Sequence, residues 1–474
     1  MENIKLIETK NGVIYYNGIS LLDLAKEFQT PLKVTFLDVI KGRVELLKDS
    51  FDRAIKEKGY SGKFISLNAN KANYGYKEVE TALKAGDGLE TSSYYDLLFS
   101  IKVFENNPKE IDKYLVLNGY KLSDYIDKFV EVSSKKKNVI DIIDSLDEYE
   151  KLKKHDKELN VGLRIHIPSL YSEGEEAEND RFGLSDDEFN YIIEDIKNTK
   201  LILSTIHFHQ RGFDYVQEKF EENFLKVFTN YYVKASRIYD SVVNFDMGGG
   251  TPLPVDGVFD YYEWAKYVIG LLQTKSKEYG VREPNLISEN GKYNQKDSTV
   301  NIYKVVSKKN TDKYPWHVVN GSLLIALPEM YALGEPIAIR PINELNNEFI
   351  KGRLAGVTCD CDDVYFNGEG YVLLPNTDSD LYISCLGTGS YQNSMNGKRG
   401  VHHCMLPEER DLVIETIDNK ITKTVRNNLQ TIEDIMKLVW GIIYEKSIKV
   451  YICIYLCIFN CFPIFTQLLY IKLQ

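Results

Sequence analysis

The sequence predicts an α/β protein in which a (β/α)8 barrel is followed by an all-β domain, and two features of the 474-residue chain support this. Between residues 31 and 295, short runs of β-branched residues alternate with longer amphipathic stretches. Eight such runs match a (β/α)8 barrel better than the alternative, a doubly wound open sheet. After residue 296, short strands are separated by Gly, Asn and Asp turns, which is typical of an all-β domain.

Eight strands and the helices between them are predicted in the barrel segment. The strands are Phe64–Leu67, Gly88–Thr91, Tyr114–Leu117, Val130–Val132, Val161–Ile165, Leu201–His207, Val242–Phe245 and Leu286–Glu289. The helices include Tyr76–Lys84, Tyr94–Val103, Leu146–His155, Asp186–Ile196 and Val216–Tyr239.

The second domain is predicted to consist mainly of short strands. These are Val300–Val306, His317–Val319, Ile337–Ile339, Arg353–Val357, Tyr371–Leu374 and Leu381–Ile383. The N-terminal run Val13–Tyr16 is also strand-like, and we expect it to complete this domain. The chain then divides into an N-terminal segment joining the β domain (1–30), the barrel (31–295), the β domain (296–430) and a tail (431–474).

The tail is apolar from residue 450, and the 22 residues from Val450 to Ile471 carry no charge. That length matches a bilayer span, although Asn460, Pro463 and Gln467 interrupt it. Three interpretations stay open: a membrane anchor, a buried or swapped terminal element, and a non-native tail from a frameshift or read-through. We therefore expect no membrane association unless the tail is a real anchor.

Composition and charge narrow the class of protein. The net charge is -11 and Lys135–Lys137 is a lone short basic run, which argues against a nucleic-acid partner. The seven cysteines are absent from the first 358 residues, so no disulfide framework is expected. Met1 to Gly12 lacks the apolar core of a signal peptide. These features together predict a cytoplasmic protein.

Candidate catalytic residues lie where the barrel strands end, because active sites of such barrels form at that face. Lys71 follows the first strand, where a desolvated lysine can lose its proton and form a Schiff base with an aldehyde cofactor. A surface lysine is the alternative interpretation. His207 and His209 fall on one side of an extended strand. They could form a zinc pair, but no recognisable ligand motif accompanies them, so no metal site is predicted.

Two glycine-containing turns follow the seventh and eighth strands, the usual position of a barrel phosphate site. Gly248, Gly249 and Gly250 could close backbone N–H groups around a phosphate, although a plain tight turn is the alternative. Glu289, Gly291 and Lys292 combine a carboxylate, a glycine and a cation within four residues.

These motifs, taken in order, resemble a known family. Lys-Ala-Asn at 71, His-Phe-His at 207, Gly-Gly-Gly at 248 and Glu-Asn-Gly-Lys at 289 resemble the pyridoxal-phosphate-dependent decarboxylases of the alanine-racemase-like barrel class. This is the arginine, ornithine and diaminopimelate decarboxylase family. Thr-Cys-Asp at 358 and the segment 387–392 are similar to the family's second-domain motifs. The nearest resemblance is to biosynthetic arginine decarboxylases.

The resemblance implies a role for each site residue in binding pyridoxal 5'-phosphate. Lys71 would carry the Schiff base, Glu289 would pair with the pyridine nitrogen, and His209 would stack on the ring as a catalytic residue. Arg164 would lie near the Schiff base. The phosphate would be held by Gly248, Gly249, Gly250, Gly291, Lys292 and Tyr391.

The resemblance also implies a homodimer with shared active sites. Catalytic Cys359 would return a proton to the substrate carbon, and Asp360 would bind the distal cation of the small amino-acid substrate. In this family both residues come from the partner subunit. The implied reaction is decarboxylation of L-arginine to agmatine with release of CO2, a step of polyamine and spermidine biosynthesis.

Some departures from the family pattern keep other activities open. Gly212 replaces a phosphate-binding serine, and Lys292 replaces an arginine, so it would bind phosphate as a point charge. The stretch Val319–Leu323 carries no acid, which argues against ornithine. The alternatives are a diaminopimelate, ornithine/lysine or carboxynorspermidine decarboxylase, and an inactive cofactor-binding regulatory homologue.

Overall fold

The computed structural model describes residues 6–167, 181–210, 217–253, 259–334, 336–365 and 368–440. The strands, numbered in chain order, are β1 Ile7–Lys10, β2 Val13–Tyr16, β3 Ile19–Ser20, β4 Leu32–Phe36, β5 Phe64–Ala69, β6 Gly88–Thr91, β7 Tyr114–Leu117, β8 Val139–Ile143, β9 Leu159–Arg164, β10 Leu201–His207, β11 Asn244–Asp246, β12 Asn285–Asn290, β13 Thr299–Lys309, β14 Trp316–Val319, β15 Ala338–Pro341, β16 Phe349–Ala355, β17 Val372–Pro375, β18 Tyr382–Leu386, β19 Arg410–Ile417 and β20 Lys420–Asn427.

The helices alternate with these strands in the first part of the chain and are short in the second. The α-helices are Leu21–Phe28, Leu37–Lys58, Tyr76–Ala85, Tyr94–Asn106, Ser123–Ser133, Leu146–Leu152, Asp186–Asp195, Gln217–Val227, Val233–Ile238, Tyr261–Tyr279, Lys292–Gln295, Leu323–Ala326, Pro328–Leu333, Asn393–Asn396 and Ile432–Trp440. No described helix is long and apolar enough to cross a bilayer.

Strands β5 to β12 form a closed parallel barrel, so the predicted (β/α)8 fold class is confirmed. The barrel closes where β12 pairs with β5, with Glu289 opposite Leu67. Its interior is filled by Ile65, Leu67, Val116, Ile140, Ile142 and Ile287. Because parallel strands are covered on both faces, they appear in the sequence as continuous apolar runs, which is why the strands could be found.

The fourth predicted barrel strand, Val130–Val132, is wrong. These residues lie in the helix Ser123–Ser133, and the fourth strand is β8, Val139–Ile143. Ile126, Phe129 and Val130 are buried at a helical spacing. The valines of the predicted strand therefore belong to the apolar face of a helix. The predicted helix Val216–Tyr239 begins outside the described residues and contains a π-helical turn, Phe228–Tyr232.

The second domain is a nine-stranded sheet in the order β17-β16-β14-β13-β4-β19-β20, with β18 paired to β13 and β15. β4 lies between β13 and β19, although we assigned its residues to the barrel segment 31–295. β2 pairs with β1 and β3 in a separate small sheet, and Ile14 N donates to Ile342 O of the second domain at 2.9 Å. The strands β19 and β20 were missed in the sequence.

The second domain packs its loop 387–392 directly against the end of β5. Tyr391 N donates to Ala72 O at 2.9 Å, and Asn73 Nδ2 donates to Gly389 O at 2.8 Å. The barrel turn that carries Lys71 is therefore fixed from both domains. The helix Ile432–Trp440 begins the segment predicted as a tail, and residues 441–474 lie outside the described residues.

Candidate active site

Lys71 lies in a short 3-10 turn, Asn70–Ala72, immediately after β5. Its Nζ is 3.5 Å from the Glu90 carboxylate, and its side chain is 40% exposed. Partial desolvation disfavours the cation, but the charges of Glu90 and Glu289 outweigh it and raise the Lys71 pKa. This corrects the expectation that desolvation frees the amine of its proton, because two carboxylates face it.

Glu90 and Glu289 are buried carboxylates that share one amide donor. Asn118 Nδ2 donates to Glu289 Oε1 at 2.7 Å and to Glu90 Oε1 at 3.1 Å. Glu90 is fully buried, and this burial raises its pKa. In Glu289 burial acts in the same direction, but His207, Lys71 and the Asn118 amide outweigh it and lower the pKa. Glu289 therefore stays ionised while Glu90 more readily holds a proton.

Polar residues end three adjacent strands, β9, β10 and β11, in register with one another. Arg164, His207 and Asp246 are paired across these strands. His207 Nε2 is 3.5 Å from Glu289 Oε2, and burial lowers the His207 pKa. Burial, followed by the charge of Glu289, raises the pKa of Asp246 well above its ordinary value. Among the acidic residues at these strand ends, Glu289 therefore carries most of the negative charge.

The glycine turn after β11 packs closely against His209 and β12. Gly248 and Gly250 have φ of +66° and +97°, in the left-handed region that favours glycine. A Cβ on Gly249 would lie 2.8 Å from Glu289 O, so that position has no room for a side chain. Gly248 N donates to Asp246 Oδ1 at 2.9 Å and Gly249 N to His209 Nδ1 at 3.2 Å. A phosphate would compete with these side chains for the two amides.

His209 lies beside this turn as a neutral ring. Burial, followed by the cations Lys71 and Arg164, lowers its pKa to about 3. Arg164 is itself held by Asp144 at 3.3 Å and stacks on the Phe182 ring, with its guanidinium 4.5 Å from the ring centroid. An uncharged imidazole presents a flat apolar face, as stacking on an aromatic ring requires.

The turn after β12 meets the loop of the second domain. Lys292 Nζ lies 3.1 Å from the buried carboxylate of Glu329, which also accepts from Gln392 Nε2 at 3.1 Å. A Cβ on Gly291 would lie 3.0 Å from Ala72 Cβ. Burial raises the pKa of Tyr391, and Lys71, Glu90, Glu329 and Lys292 are the charges around it. The predicted phosphate residues are thus brought together with Lys71.

Cys359 and Asp360 lie apart from this group, on the surface of the second domain. Cys359 is exposed and its Sγ is 3.2 Å from Cys404 Sγ. Asp360 Oδ2 is 3.6 Å from His403 Nε2. Cys359 thus contacts Cys404, and Asp360 contacts His403 and accepts from Asp362 N at 2.9 Å, whereas the barrel residues just described are not among these partners. Gly212 lies outside the described residues.

Sequence reasoning missed several residues that the structure places in the site. Glu90 and Asp246 are the last or next-to-last residues of barrel strands, and Asn118 follows β7 directly, so their position at strand ends was the available signal. Glu329 gave no such signal, because it comes from a short helix of the second domain. The lack of an acid in Val319–Leu323 therefore argues less strongly against ornithine, since the buried acid Glu329 contacts Lys292 from another segment.

The residues around Lys71 fit a phosphorylated pyridine aldehyde. An amine is available for the aldehyde, an ionised carboxylate for the ring nitrogen, and a neutral imidazole for the ring face. The glycine turn and Lys292 would supply N–H groups and a cation to a phosphate in exchange for their present partners Asp246, His209 and Glu329. The cramped Cβ position at Gly249 is consistent with a close approach of backbone to ligand.

Comparison with known proteins agrees with this fit. Curated relatives include biosynthetic arginine decarboxylases of Prochlorococcus marinus. The strain MIT 9301 protein is 27% identical over 317 residues, which are 61% of this chain and 48% of the relative. The strain AS9601 protein is 26% identical over 367 residues, 70% of this chain and 56% of the relative. The chain thus spans about half the length of the curated relatives it matches.

Solved structures share the fold. A biosynthetic arginine decarboxylase from Campylobacter jejuni has a TM-score of 0.79 at 18% identity, covering 94% of this chain and 91% of that one. Diaminopimelate decarboxylase from M. jannaschii has a TM-score of 0.75 at 20% identity, covering 91% and 96%.

A family model supplies the assignment. The model of the pyridoxal-binding domain of pyridoxal-dependent decarboxylases matches residues 50–295, which contain the barrel strands β5–β12 and Lys71. The prediction of pyridoxal phosphate as cofactor is confirmed by this match. The chain belongs to the pyridoxal-dependent decarboxylase family.

Proposed function

We propose that this chain catalyses the pyridoxal-phosphate-dependent decarboxylation of a basic amino acid, with L-arginine as substrate and agmatine and CO2 as products. The observation that carries the proposal is the position of Lys71 between Glu90 and Glu289, beside the glycine turn at Gly248–Gly250. The bound cofactor would act as the electron sink for the electrons that the departing carboxylate leaves behind.

Glu289 would hold a proton at the pyridine nitrogen of the cofactor. It suits this role because it is only 4% exposed yet keeps a lowered pKa, so its negative charge is available inside the barrel. Asn118 and His207 fix the carboxylate from two sides, at 2.7 and 3.5 Å. His209 would cover one ring face, and its low pKa keeps it from repelling a protonated ring.

Lys71 would bind the cofactor aldehyde through its amine and would be released when the substrate amine takes its place. Because Glu90 and Glu289 raise the Lys71 pKa, the amine must pass its proton to a neighbouring group before it can react. Glu90 is suited to accept that proton, since it lies 3.5 Å away and burial raises its own pKa. Glu90 would thereby take the proton from Lys71 Nζ.

Cys359 and Asp360 would act in the active site of a partner subunit. Their exposure on the second domain, away from Lys71, supports a site completed across a homodimer interface. Mixed Lys71→Ala and Cys359→Ala chains, each nearly inactive alone, should recover up to about a quarter of the activity, because a heterodimer contains one intact site. Failure to recover while the subunits demonstrably exchange would contradict the shared site.

The choice of arginine rests on the similarity to curated biosynthetic arginine decarboxylases and on Asp360, whose carboxylate can accept a forked pair of bonds from a guanidinium. The buried Glu329 weakens the argument against ornithine, which relied on the lack of an acid in Val319–Leu323. Diaminopimelate stays a second candidate substrate, because a diaminopimelate decarboxylase shares the fold of this chain. Agmatine as product would place the enzyme in polyamine synthesis, and we propose a cytoplasmic location.

A substrate panel tests the proposal. Purified protein with cofactor is incubated separately with carboxyl-labelled arginine, ornithine, lysine and diaminopimelate, and the released CO2 is measured. We expect kcat/KM for arginine to exceed that for ornithine by at least about 100-fold, roughly 2.7 kcal/mol of discrimination. Asp360→Asn should lower kcat/KM for arginine and leave cofactor binding intact. Equal efficiency on ornithine would refute the arginine assignment, and no release from any substrate would favour an inactive regulatory homologue.

A further inference from the structure

A compact group of metal-ligating side chains lies on the second domain, outside the barrel site. The Cys359 and Cys404 sulfurs and a ring nitrogen of His403 all lie within 4.8 Å of one another. The two sulfurs are 3.2 Å apart, and Asp360 Oδ2 is 3.6 Å from His403 Nε2. Two thiols and an imidazole thus converge on one exposed point, and a carboxylate lies beside the imidazole.

Two separate segments bring these groups together. Cys359 and Asp360 follow β16, whereas His403 and Cys404 belong to the 3-10 turn His403–Met405. Within that turn Cys404 and Met405 have φ of +56° and +52°, a region that non-glycine residues seldom occupy. In this turn the Cys404 sulfur lies 3.2 Å from the Cys359 sulfur.

This ligand set suits zinc. Zn²⁺ binds thiolate at about 2.3 Å in a tetrahedral site, which separates two sulfur ligands by about 3.8 Å. The observed separation of 3.2 Å needs only a small outward rotation of two exposed side chains.

We propose that Cys359, Cys404 and His403 form a zinc-binding site, with water as the fourth ligand and Asp360 as the carboxylate partner of His403. On binding, both thiols lose their protons to solvent and two Zn–S bonds form, so no oxidant is required. The consequence for activity depends on the proposed function: the metal would bind the Cys359 sulfur and remove this residue from the partner's active site. Zinc would therefore act as a reversible inhibitor.

The test measures zinc bound to the cofactor-loaded enzyme by equilibrium dialysis, in a non-thiol reductant that prevents disulfide formation. The wild-type protein should bind one zinc per chain at this site and lose activity, and a chelator should restore it. Cys404→Ser should retain activity without zinc and resist inhibition by zinc. It should bind zinc at least about 100-fold more weakly, because loss of a direct ligand costs more affinity than loss of a residue that only hydrogen-bonds to a ligand.

Cys361→Ser is the matched control, since this exposed thiol lies in the same loop but contacts Asp362, at 3.9 Å. It should bind zinc like the wild-type protein. Equal zinc affinity in Cys404→Ser, or a selective loss in Cys361→Ser, would overturn the proposal. Zinc stoichiometry is measured without substrate, so a protein that proves inactive as a decarboxylase would still confirm or overturn the site.

Discussion

Asn118 offers a sharp test of how the barrel controls its two carboxylates. Its side chain is buried, and its Nδ2 donates to Glu289 at 2.7 Å and to Glu90 at 3.1 Å. Hydrogen bonds to charged groups contribute about 1.5–3 kcal/mol each. If Glu289 must stay ionised for turnover, Asn118→Ala should lower kcat by about 10- to 150-fold, the rate equivalent of one such bond.

The assay is CO2 release at saturating cofactor, together with cofactor uptake followed by its visible absorbance. Cofactor uptake should survive in Asn118→Ala, because the Asn118 side chain donates to two carboxylates and makes no hydrogen bond to Lys71 or to the glycine turn. Asn118→Asp should be worse than Asn118→Ala, since it adds a third carboxylate beside Glu90 and Glu289. The exposed Asn190→Ala serves as control. Full activity of Asn118→Ala would refute the positioning role.

Three further outcomes follow from the packing and charges. Gly249→Ala should abolish cofactor uptake, measured by absorbance, because its Cβ would lie 2.8 Å from Glu289 O; normal uptake would contradict the close fit. Arg426→Met should lower the free energy of unfolding in urea by about 3–5 kcal/mol, since Arg426 bridges buried Asp411 and Glu78, while exposed Lys102→Met should change little. Although burial opposes it, the cations around Asp411 lower the pKa of this carboxyl group. Its contribution to stability is therefore present above pH ~4 and is lost as the pH falls further. In Asp411→Asn the free energy of unfolding should depend less on pH below pH ~4.

The barrel could be predicted because each of its strands is a local signal. Seven of the eight predicted strands overlap the observed ones, and Lys71 and Glu289 follow from their places at strand ends. The exception, Val130–Val132, shows the limit of a three-residue run, since helix and strand bury such residues equally well. Because Val130–Val132 was assigned as the fourth strand, the true fourth strand, β8, was not predicted.

The remaining features depend on contacts between distant segments. β4 joins the second sheet because β13 and β19 pair on either side of it, which nothing in Leu32–Phe36 reveals. Glu329 contacts Lys292 only because the second domain folds back onto the barrel. The Lys71 pKa is raised where burial suggested the opposite, because two carboxylates from β6 and β12 meet at its amine.

Lys71 is expected to bind the cofactor in this barrel. Protein loaded with pyridoxal phosphate and reduced with borohydride should carry the cofactor on Lys71 after proteolysis and peptide mapping, and the reduced protein should release no CO2 from arginine. Lys292 is the internal comparison, because it is a second lysine at the site and contacts Glu329. Label on Lys292 or another lysine, or decarboxylation that survives in Lys71→Ala, would contradict the account.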